Sequence, residues 1–455
     1  MADGSAQATF CATLVDEWVR GGVTRAVVCP GSRSTPLAIA LSNHPGLDVI
    51  VHPDERSASF LALGLSLELF SPTVLLTTSG TAAAELHAAV IEASLSCVPL
   101  LVCTADRPPE LLGRGSPQTI DQTNLFGDVV RWYHNPGVAD ENQAHTWRAL
   151  ASKSLLASLG QQPGPVHLNF PFRDPLVGTP SALPAGRGEG PWQRRWEGMR
   201  HAPDDGRRVA ALCQSRRGLI VAGAGSPAGL VELAERLGWP ILADARSNLG
   251  GSSVVIGTAD ATLRVDTFAD RSSPDIVLRV GEQPTSRVIW EWLAHLDTHR
   301  VHLMQAGMPW LDTSHDVDLS ISSGDLAGLV DEISMAVDAP PVLGWLEQWQ
   351  ADEEAAQAAI EAVLAVSALS EPAVARSLTA ALPEGARLVV SSSMPIRDVD
   401  WFARRRGDVV VHANRGANGI DGVVSTAVGV AVASASPTAL HIGDLAFLHD
   451  SNGLV

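Results

Sequence analysis

Short apolar runs alternate with helical patterns along the first 175 residues of the chain. Helical spacing characterises ERSASFLALGLSLEL and AAAELHAAVIEAS, and Gly164 to Leu176 predicts a closing strand. The apolar runs that end in polar residues lie in VTRAVVCPGS, LDVIVHPDE, TVLLTTSGT and VPLLVCTADRPPE. Strands alternating with helices favour a parallel α/β sheet.

The alternation stops at a Gly/Pro/Arg-rich stretch and then restarts twice. It resumes at RGLIVAGAGSPAGLVELAERLGWPILAD, and an acidic, Ala-rich helical segment leads into RLVVSSSMPIRD, DVVVHANRGANGIDG and ALHIGDLAFLHD. The 455 residues also suggest about three domains, at about 150 residues each. We therefore predict an α/β protein of three domains, each a mainly parallel sheet flanked by helices. Their predicted bounds are 1–180, 205–335 and 345–455, with a linker at 181–204.

Composition narrows the class of protein. Hydrophobic residues make up 45% of the chain and charged residues 18%, enough for packed cores. The formal net charge of −18 argues against a nucleic-acid partner and is most simply a solubility feature. Five scattered cysteines, no secretion signal and no apolar run of about 18 residues predict a cytoplasmic protein without a membrane span. Lys153 is the only lysine, so anionic groups must be bound by arginine.

Polar clusters follow the apolar strands at seven places. They are PGSRSTP, PDER, TTSGT, ADRPPE, SSSMPIRD, NRGANGIDG and GDLAFLHD. Ligands of open parallel sheets bind beyond the carboxyl ends of the strands. Seven such clusters in one chain favour an enzyme over a scaffold.

Each candidate residue also has a simpler interpretation. Glu55 opens a predicted helix, where a carboxylate complements the helix dipole, and TTSGT is compatible with a helix cap. Asp444 follows a strand beside a glycine, which is typical of a turn. One carboxylate together with ligand phosphates is nevertheless how Mg²⁺ is usually held.

Four arginines in predicted strand-end loops are the less common signal. Singly, each is most simply a solvated surface residue. Together they would bind a substrate with several carboxylates, because guanidinium groups pair with carboxylates in a bidentate way. They are Arg33, Arg107, Arg397 and Arg415.

The order of these motifs resembles the thiamine-diphosphate-dependent synthases of menaquinone biosynthesis. The resemblance runs from about residue 10 to the last residue, and ADRPPELL and NRGANGIDG are its most specific parts. It implies pyrimidine-binding, central and diphosphate-binding domains in chain order. It also implies thiamine diphosphate and Mg²⁺, with Mn²⁺ as an alternative metal. The active site would lie between the first domain of one subunit and the third domain of another, in a homodimer or homotetramer.

The resemblance further implies a reaction and a set of site residues. These synthases decarboxylate 2-oxoglutarate and add the resulting succinyl carbanion equivalent to isochorismate. Glu55 matches the catalytic glutamate that contacts the aminopyrimidine ring of the cofactor, and Asp444 matches the Mg²⁺ ligand. The matching substrate positions are Ser32, Arg33, Arg107, Gln118, Arg287, Ser393, Arg397 and Arg415. The matching cofactor positions are Gly419, Ile420, Gly443, Asp444, Leu445 and Ala446.

The chain departs from the family pattern at two places. Pro117 stands where some relatives have an asparagine that reaches the cofactor, a difference that concerns cofactor contacts and not the assignment. The chain also ends at Val455, before the asparagine that completes the metal site of the family. We therefore expect an incomplete third domain. The alternatives are another thiamine-diphosphate-dependent 2-oxoacid decarboxylase or carboligase, and an inactive fragment.

Overall fold

A computed structural model describes residues 4–194, 201–309 and 317–455. Part of the predicted linker, residues 195–200, lies outside this description. The described residues form two compact units. The first unit comprises residues 4–194, 414–435 and 444–455, and the second comprises 201–309, 317–413 and 436–443.

The first unit contains a six-stranded sheet in which every pair of neighbouring strands is parallel. Its strands are β1 (Arg25–Val28), β2 (Asp48–Val51), β3 (Thr73–Thr77), β4 (Leu100–Asp106), β5 (Trp132–His134) and β6 (Pro165–Pro171), in the order β2-β1-β3-β4-β6-β5. Its helices are α1 (Ser5–Arg20), α2 (Thr35–Asn43), α3 (Glu55–Leu69), α4 (Thr81–Ala84), α5 (His87–Leu95) and α6 (Trp147–Ser158).

Apolar side chains cover both faces of this sheet. Along β3, Val74 and Leu76 pack into one hydrophobic cluster, whereas Leu75 packs into the other. Successive side chains of a strand point to opposite faces, so a strand in a doubly covered sheet is apolar throughout. This arrangement explains the uninterrupted apolar runs in the sequence.

The second unit contains two further parallel sheets. The larger has β7 (Gly218–Ala222), β8 (Ile241–Ala243), β9 (Val255–Ile256), β10 (Ile276–Val280), β11 (His299–Gln305) and β12 (Leu319–Ser323), in the order β12-β11-β10-β7-β8-β9. The smaller has β13 (Arg387–Val390), β14 (Val410–His412) and β15 (Thr438–His441), in the order β14-β13-β15.

The remaining helices follow in chain order. The second unit holds α7 (Asp205–Cys213), α8 (Leu230–Leu237), α9 (Ala259–Thr262), α10 (Asp266–Arg271), α11 (Arg287–Ala294), α12 (Leu326–Ala336), α13 (Trp345–Val366), α14 (Glu371–Ala381) and α15 (Met394–Phe402). The first unit holds α16 (Val423–Ser434) and α17 (Asp444–His449). In the described part of the chain, no single helix is long and apolar enough to cross a membrane. Only α13 and α14 taken together pass that test, and they are bent by 112°.

Two glycines allow α3 and α16 to approach each other closely within the first unit. A Cβ atom added at Gly64 would overlap the carbonyl oxygen of Thr426, and one added at Gly429 would overlap that of Leu61. The two backbones are therefore in direct contact, and any larger side chain at either glycine would push the helices apart.

The predicted fold class is confirmed: three parallel sheets are flanked by helices, and the third has three strands. The helices predicted at ERSASFLALGLSLEL and at the acidic, Ala-rich segment coincide with α3 and α13. Two local predictions were wrong: AAAELHAAVIEAS forms two helices, and GDLAFLHD forms α17 where a polar loop was expected. The strand predicted within Gly164 to Leu176 is confirmed as β6, the last strand of this sheet in chain order, although β5 lies outside it in the sheet.

The edge strand β5 was missed from sequence, and it lies beside the only lysine of the chain. Trp132 and His134 stack with ring centroids 5.0 Å apart, and Nζ of Lys153 lies 4.6 Å from the centroid of the Trp132 ring. β6 itself begins at Pro165 and ends at Pro171. Proline has no N–H to donate to a ladder, so these residues mark natural ends of a strand.

Candidate active site

Helix α3 presents Glu55 as its first residue. Asp54 caps the helix: its Oδ1 accepts a hydrogen bond from the Ser57 N–H at 3.0 Å, and its Oδ2 accepts one from Asn452 Nδ2 at 2.8 Å. Burial raises the pKa of Asp54, but these hydrogen bonds and the nearby Arg56 outweigh it and lower that pKa overall. A deprotonated cap therefore fixes the start of the helix, and with it the backbone of Glu55.

The carboxylate of Glu55 is available to a ligand. Within the described residues it accepts no hydrogen bond and forms no ion pair, and it lines a cavity of about 600 Å³ with His52, Glu85 and Asn452. The charge of Glu55 also acts on a buried thiol. Burial, followed by the charges of Glu55 and Asp54, raises the pKa of the Cys29 thiol far above its ordinary value.

The structure brings Arg107 together with the TTSGT turn and Gln118. The buried Arg107 donates from Nη1 to Ser79 Oγ at 2.6 Å and from Nη2 to the Pro117 carbonyl at 2.7 Å. Ser79 Oγ donates in turn to the Gln118 carbonyl at 2.8 Å. Burial, and next the charge of nearby Arg33, lower the pKa of Arg107. Two of the four predicted arginines therefore lie close together.

Arg33 is held by the loop that follows β6. It lies in a short 3-10 helix, Ser32–Ser34, just after β1. Its Nη1 donates to the Phe172 carbonyl at 2.9 Å and to Asp174 Oδ2 at 3.1 Å. The neighbouring Ser32 is exposed. Both residues lie beyond the carboxyl end of their strand, as the sequence predicted.

A buried polar network that was not predicted supports this edge of the sheet. Asn169 donates from Nδ2 to Asp106 Oδ2 at 2.8 Å, and its Oδ1 accepts from Thr104 Oγ1 at 2.7 Å and Gln122 Nε2 at 2.8 Å. Gln122 Oε1 accepts the Gly80 N–H at 2.9 Å. Burial raises the pKa of Asp106. The network connects the TTSGT turn to the residue before Arg107. Polar residues on an otherwise apolar strand were its only sequence signal.

The NRGANGIDG loop carries Arg415 and is attached on both sides of that residue, at Asn414 and at residues 416 and 417. Asn414 Nδ2 donates to Thr426 Oγ1 at 3.0 Å, and the carboxylate of Glu92 accepts hydrogen bonds from two loop N–H groups. Arg415 is partly buried, and Ile420 is exposed.

The segment after β15 is attached to α3 and α16 through Asp450. This fully buried carboxylate accepts hydrogen bonds from the Ser425 N–H at 2.7 Å and from Ser57 Oγ at 3.4 Å. Asp444, at the start of α17, is exposed, and its Oδ1 accepts the Leu445 N–H at 2.8 Å. Leu445 is exposed and Ala446 is buried.

The second unit carries the other predicted residues. Ser393 and Arg397 are exposed at the start of α15, and Gly443 follows β15. Arg287 is 87% exposed and pairs with Glu291 at 2.6 Å, an ordinary surface ion pair. Convergence of all four arginines on one site remains a prediction.

Comparison with known families defines the class of protein. Residues 8–125 match the family model described as the N-terminal TPP binding domain of thiamine pyrophosphate enzymes. Residues 188–390 match the middle domain of thiamine pyrophosphate enzymes. The fold, the capped glutamate helix and these matches place the chain among thiamine-diphosphate-dependent enzymes.

Similarity to curated proteins identifies the family more closely. The chain belongs to the 2-succinyl-5-enolpyruvyl-6-hydroxy-3-cyclohexene-1-carboxylate synthases. A protein of that name from Chloroflexus aurantiacus is 41% identical over 98% of this chain and 78% of its own length. The protein of that name from Haloarcula marismortui is 41% identical over 97% of this chain and 80% of its own length. The one from Geobacillus kaustophilus is 40% identical over 100% of this chain and 81% of its own length.

The residues present fit a metal held jointly with a diphosphate. The described residues contain no group of three or more His, Cys, Asp or Glu that could hold a metal by themselves. Asp444 uses Oδ1 for the Leu445 N–H, and its Oδ2 accepts no hydrogen bond from the described residues. Mg²⁺ is commonly bound by one or two carboxylates plus phosphate oxygens and water.

Proposed function

We propose that this chain decarboxylates 2-oxoglutarate and adds the remaining four-carbon unit to isochorismate. The products are CO₂ and 2-succinyl-5-enolpyruvyl-6-hydroxy-3-cyclohexene-1-carboxylate, an intermediate of menaquinone biosynthesis. The observation that carries this proposal is 40–41% identity, over 97–100% of the chain, to proteins bearing the name of that synthase. The capped helix that presents Glu55 to a cavity supports it.

Thiamine diphosphate, when bound, supplies the electron sink for decarboxylation and carbon–carbon bond formation. Glu55 accepts a hydrogen bond from the aminopyrimidine ring, a role that its unpaired carboxylate permits. Asp444 holds Mg²⁺ against the diphosphate. Backbone and side-chain contacts to the cofactor come from Gly419, Ile420, Gly443, Leu445 and Ala446.

The arginines bind the substrate carboxylates. Arg33 and Arg107 already lie close together, and the buried Arg107 is held rigidly by two hydrogen bonds. A preorganised guanidinium group favours bidentate carboxylate binding, which suits two dicarboxylate substrates. The other proposed substrate residues are Ser32, Gln118, Arg287, Ser393, Arg397 and Arg415.

We also propose a homodimer or homotetramer in the cytoplasm, with domains at 1–180, 205–335 and 345–455. In this arrangement the pyrimidine-binding and diphosphate-binding domains of different subunits share an active site. The carboxylate of Glu55 would then act on a cofactor whose diphosphate is held by the partner subunit.

The test of the reaction is turnover with a panel of 2-oxoacids, with and without isochorismate, thiamine diphosphate and Mg²⁺. We expect CO₂ release and product formation with 2-oxoglutarate and isochorismate together. Faster turnover of another 2-oxoacid, or turnover that is indifferent to isochorismate, would favour a different thiamine-diphosphate-dependent decarboxylase or carboligase.

Glu55→Gln tests the assigned role of the carboxylate. We expect turnover to fall by at least about a hundredfold, the usual scale for an essential proton-transfer group, with unchanged thermal unfolding. Glu354→Gln is the matched control, because Glu354 is exposed on α13. Near-normal activity of Glu55→Gln would refute the assignment.

A further inference from the structure

We propose that Glu92 is a positioning residue for Arg415. Its buried carboxylate holds the two loop residues that directly follow that arginine and thereby fixes the direction from which the guanidinium group meets a substrate carboxylate. This inference rests on the proposed function, which makes Arg415 a substrate-binding residue. Glu92 itself is expected to touch neither substrate nor cofactor.

The carboxylate of Glu92 accepts two hydrogen bonds from successive backbone groups of the loop. Oε1 lies 2.7 Å from the Gly416 nitrogen, and Oε2 lies 2.6 Å from the Ala417 nitrogen. A third donor, Ser96 Oγ, lies 2.8 Å from Oε1 and comes from the last turn of the same helix region. Glu92 lies on α5 and is only 3% exposed. Both oxygens are therefore committed to the loop.

The negative charge of Glu92 makes these contacts stronger than neutral hydrogen bonds. Burying a carboxylate is costly unless hydrogen bonds or a cation compensate it. No ion pair to Glu92 exists among the residues that the structure describes, so N–H and O–H donors provide the compensation. Two of the three donors belong to the loop. Release of the loop would therefore remove two of the three donors that compensate the buried carboxylate.

The loop backbone lies directly on α5 at this point. A Cβ atom at Gly416 would lie 2.8 Å from Leu95 Cβ, 2.8 Å from Ser96 Oγ and 2.9 Å from the Glu92 carbonyl oxygen. Only glycine allows so close an approach. On the other side of Arg415, the Asn414 side chain is bonded to Thr426. Arg415 is therefore flanked by two anchored neighbours.

The first test is the effect of Glu92→Gln on KM. The amide keeps one acceptor but turns an NH₂ group towards a backbone N–H, so one charge-assisted hydrogen bond is lost and the loop loosens. We expect KM for 2-oxoglutarate or isochorismate to rise about tenfold, the effect of one such bond, while kcat changes less. Ser96→Ala is the matched control: it removes the third donor but keeps both bonds to the loop, so KM should be unchanged.

A double-mutant cycle separates positioning from a general structural role. Arg415→Ala alone should raise KM, and adding Glu92→Gln to it should raise KM no further, because Glu92 acts through Arg415. Glu92→Asp, which keeps the charge, should recover part of the loss. An equal increase in KM with and without Arg415, or no increase for Glu92→Gln, would overturn the proposal.

Amide hydrogen exchange tests the contact independently of activity. In Glu92→Gln, the Gly416 and Ala417 amides should exchange at least about tenfold faster with solvent. Local opening of the loop then has to break only weaker, uncharged hydrogen bonds. Unchanged protection of both amides would overturn the proposal even in an active enzyme. If instead the wild type lacks the proposed turnover but both amides lose protection, the proposed function fails and the anchoring contact survives.

Discussion

Ser393 adopts a backbone conformation that residues with a Cβ atom rarely take. It lies between β13 and α15 with φ 74° and ψ −130°, four residues before Arg397. Such a conformation costs about 1–3 kcal/mol and persists only where surrounding structure enforces it. The cost falls at a residue that we propose binds the substrate, so the position of the Ser393 hydroxyl is held at the expense of stability.

Ser393→Gly should separate stability from function. Glycine accepts a positive φ without strain, so we expect the free energy of unfolding to rise by about 1 kcal/mol. Loss of the hydroxyl should raise KM for one substrate. Ser367→Gly is the control: with φ −84°, that substitution should lower stability by about 0.5–1 kcal/mol. Thermal unfolding and steady-state kinetics measure both effects, and a less stable Ser393→Gly protein would contradict the strain argument.

At the scale of elements, the contact between α3 and α16 controls the position of two segments of the proposed site. α3 begins with Glu55, and α16 follows directly after the loop that carries Arg415. Because the helices meet through Gly64 and Gly429, their separation is set by backbone atoms with little room to adjust. A change in their spacing would therefore move Glu55, the proposed catalytic glutamate, relative to the loop that carries Arg415.

Gly429→Ala should destabilise the protein although alanine favours helices. The better propensity contributes up to about 1 kcal/mol, whereas overpacking against the Leu61 carbonyl costs about 1–3 kcal/mol. We expect a lower unfolding temperature and reduced turnover. Gly160→Ala is a suitable control, because its added Cβ would lie no closer than 3.5 Å to a neighbour. An unfolding temperature equal to or above that of the wild type would show that the helices can move apart freely.

Elements with a strong local pattern were predictable from sequence, whereas contacts between distant segments were not. α3 and α13 have helical spacing over 15 and 22 residues, and both were found. β5 has only three residues, and its Trp-Tyr-His sequence lacks an apolar run, so pairing with β6 decides its structure. Glu92 lies on a predicted helix, where glutamate usually faces solvent. Only its contact with residues 416 and 417 reveals a buried role.

At the scale of the whole molecule, the net charge of −18 acts on every part of the fold. Fifty acidic residues face 32 basic ones, so like-charge repulsion opposes the compact state at neutral pH. Many arginines of the described residues are already paired with carboxylates, and the acidic side chains of the sequence outnumber the basic ones that could pair with them.

Salt should therefore stabilise the protein at pH 8. Raising NaCl from about 10 mM to about 150 mM shortens the Debye length from about 30 Å to about 8 Å and screens the repulsion. We expect the unfolding temperature to rise over this range, as measured by calorimetry. The same titration near the isoelectric point of about 5.1 is the control, and the rise should be much smaller there. A falling unfolding temperature at pH 8 would show that paired charges outweigh the repulsion.

Lys153 also offers a single chemical handle. An amine-reactive ester finds only one side-chain target in the chain, and that target is exposed beside Trp132 on the edge strand. Acylation removes the ammonium charge and with it the cation–π contact, while the attached group stays next to the indole ring. A fluorophore coupled there would sit at one defined place on the sheet, and its quenching by direct contact with the Trp132 indole would report whether that edge stays folded.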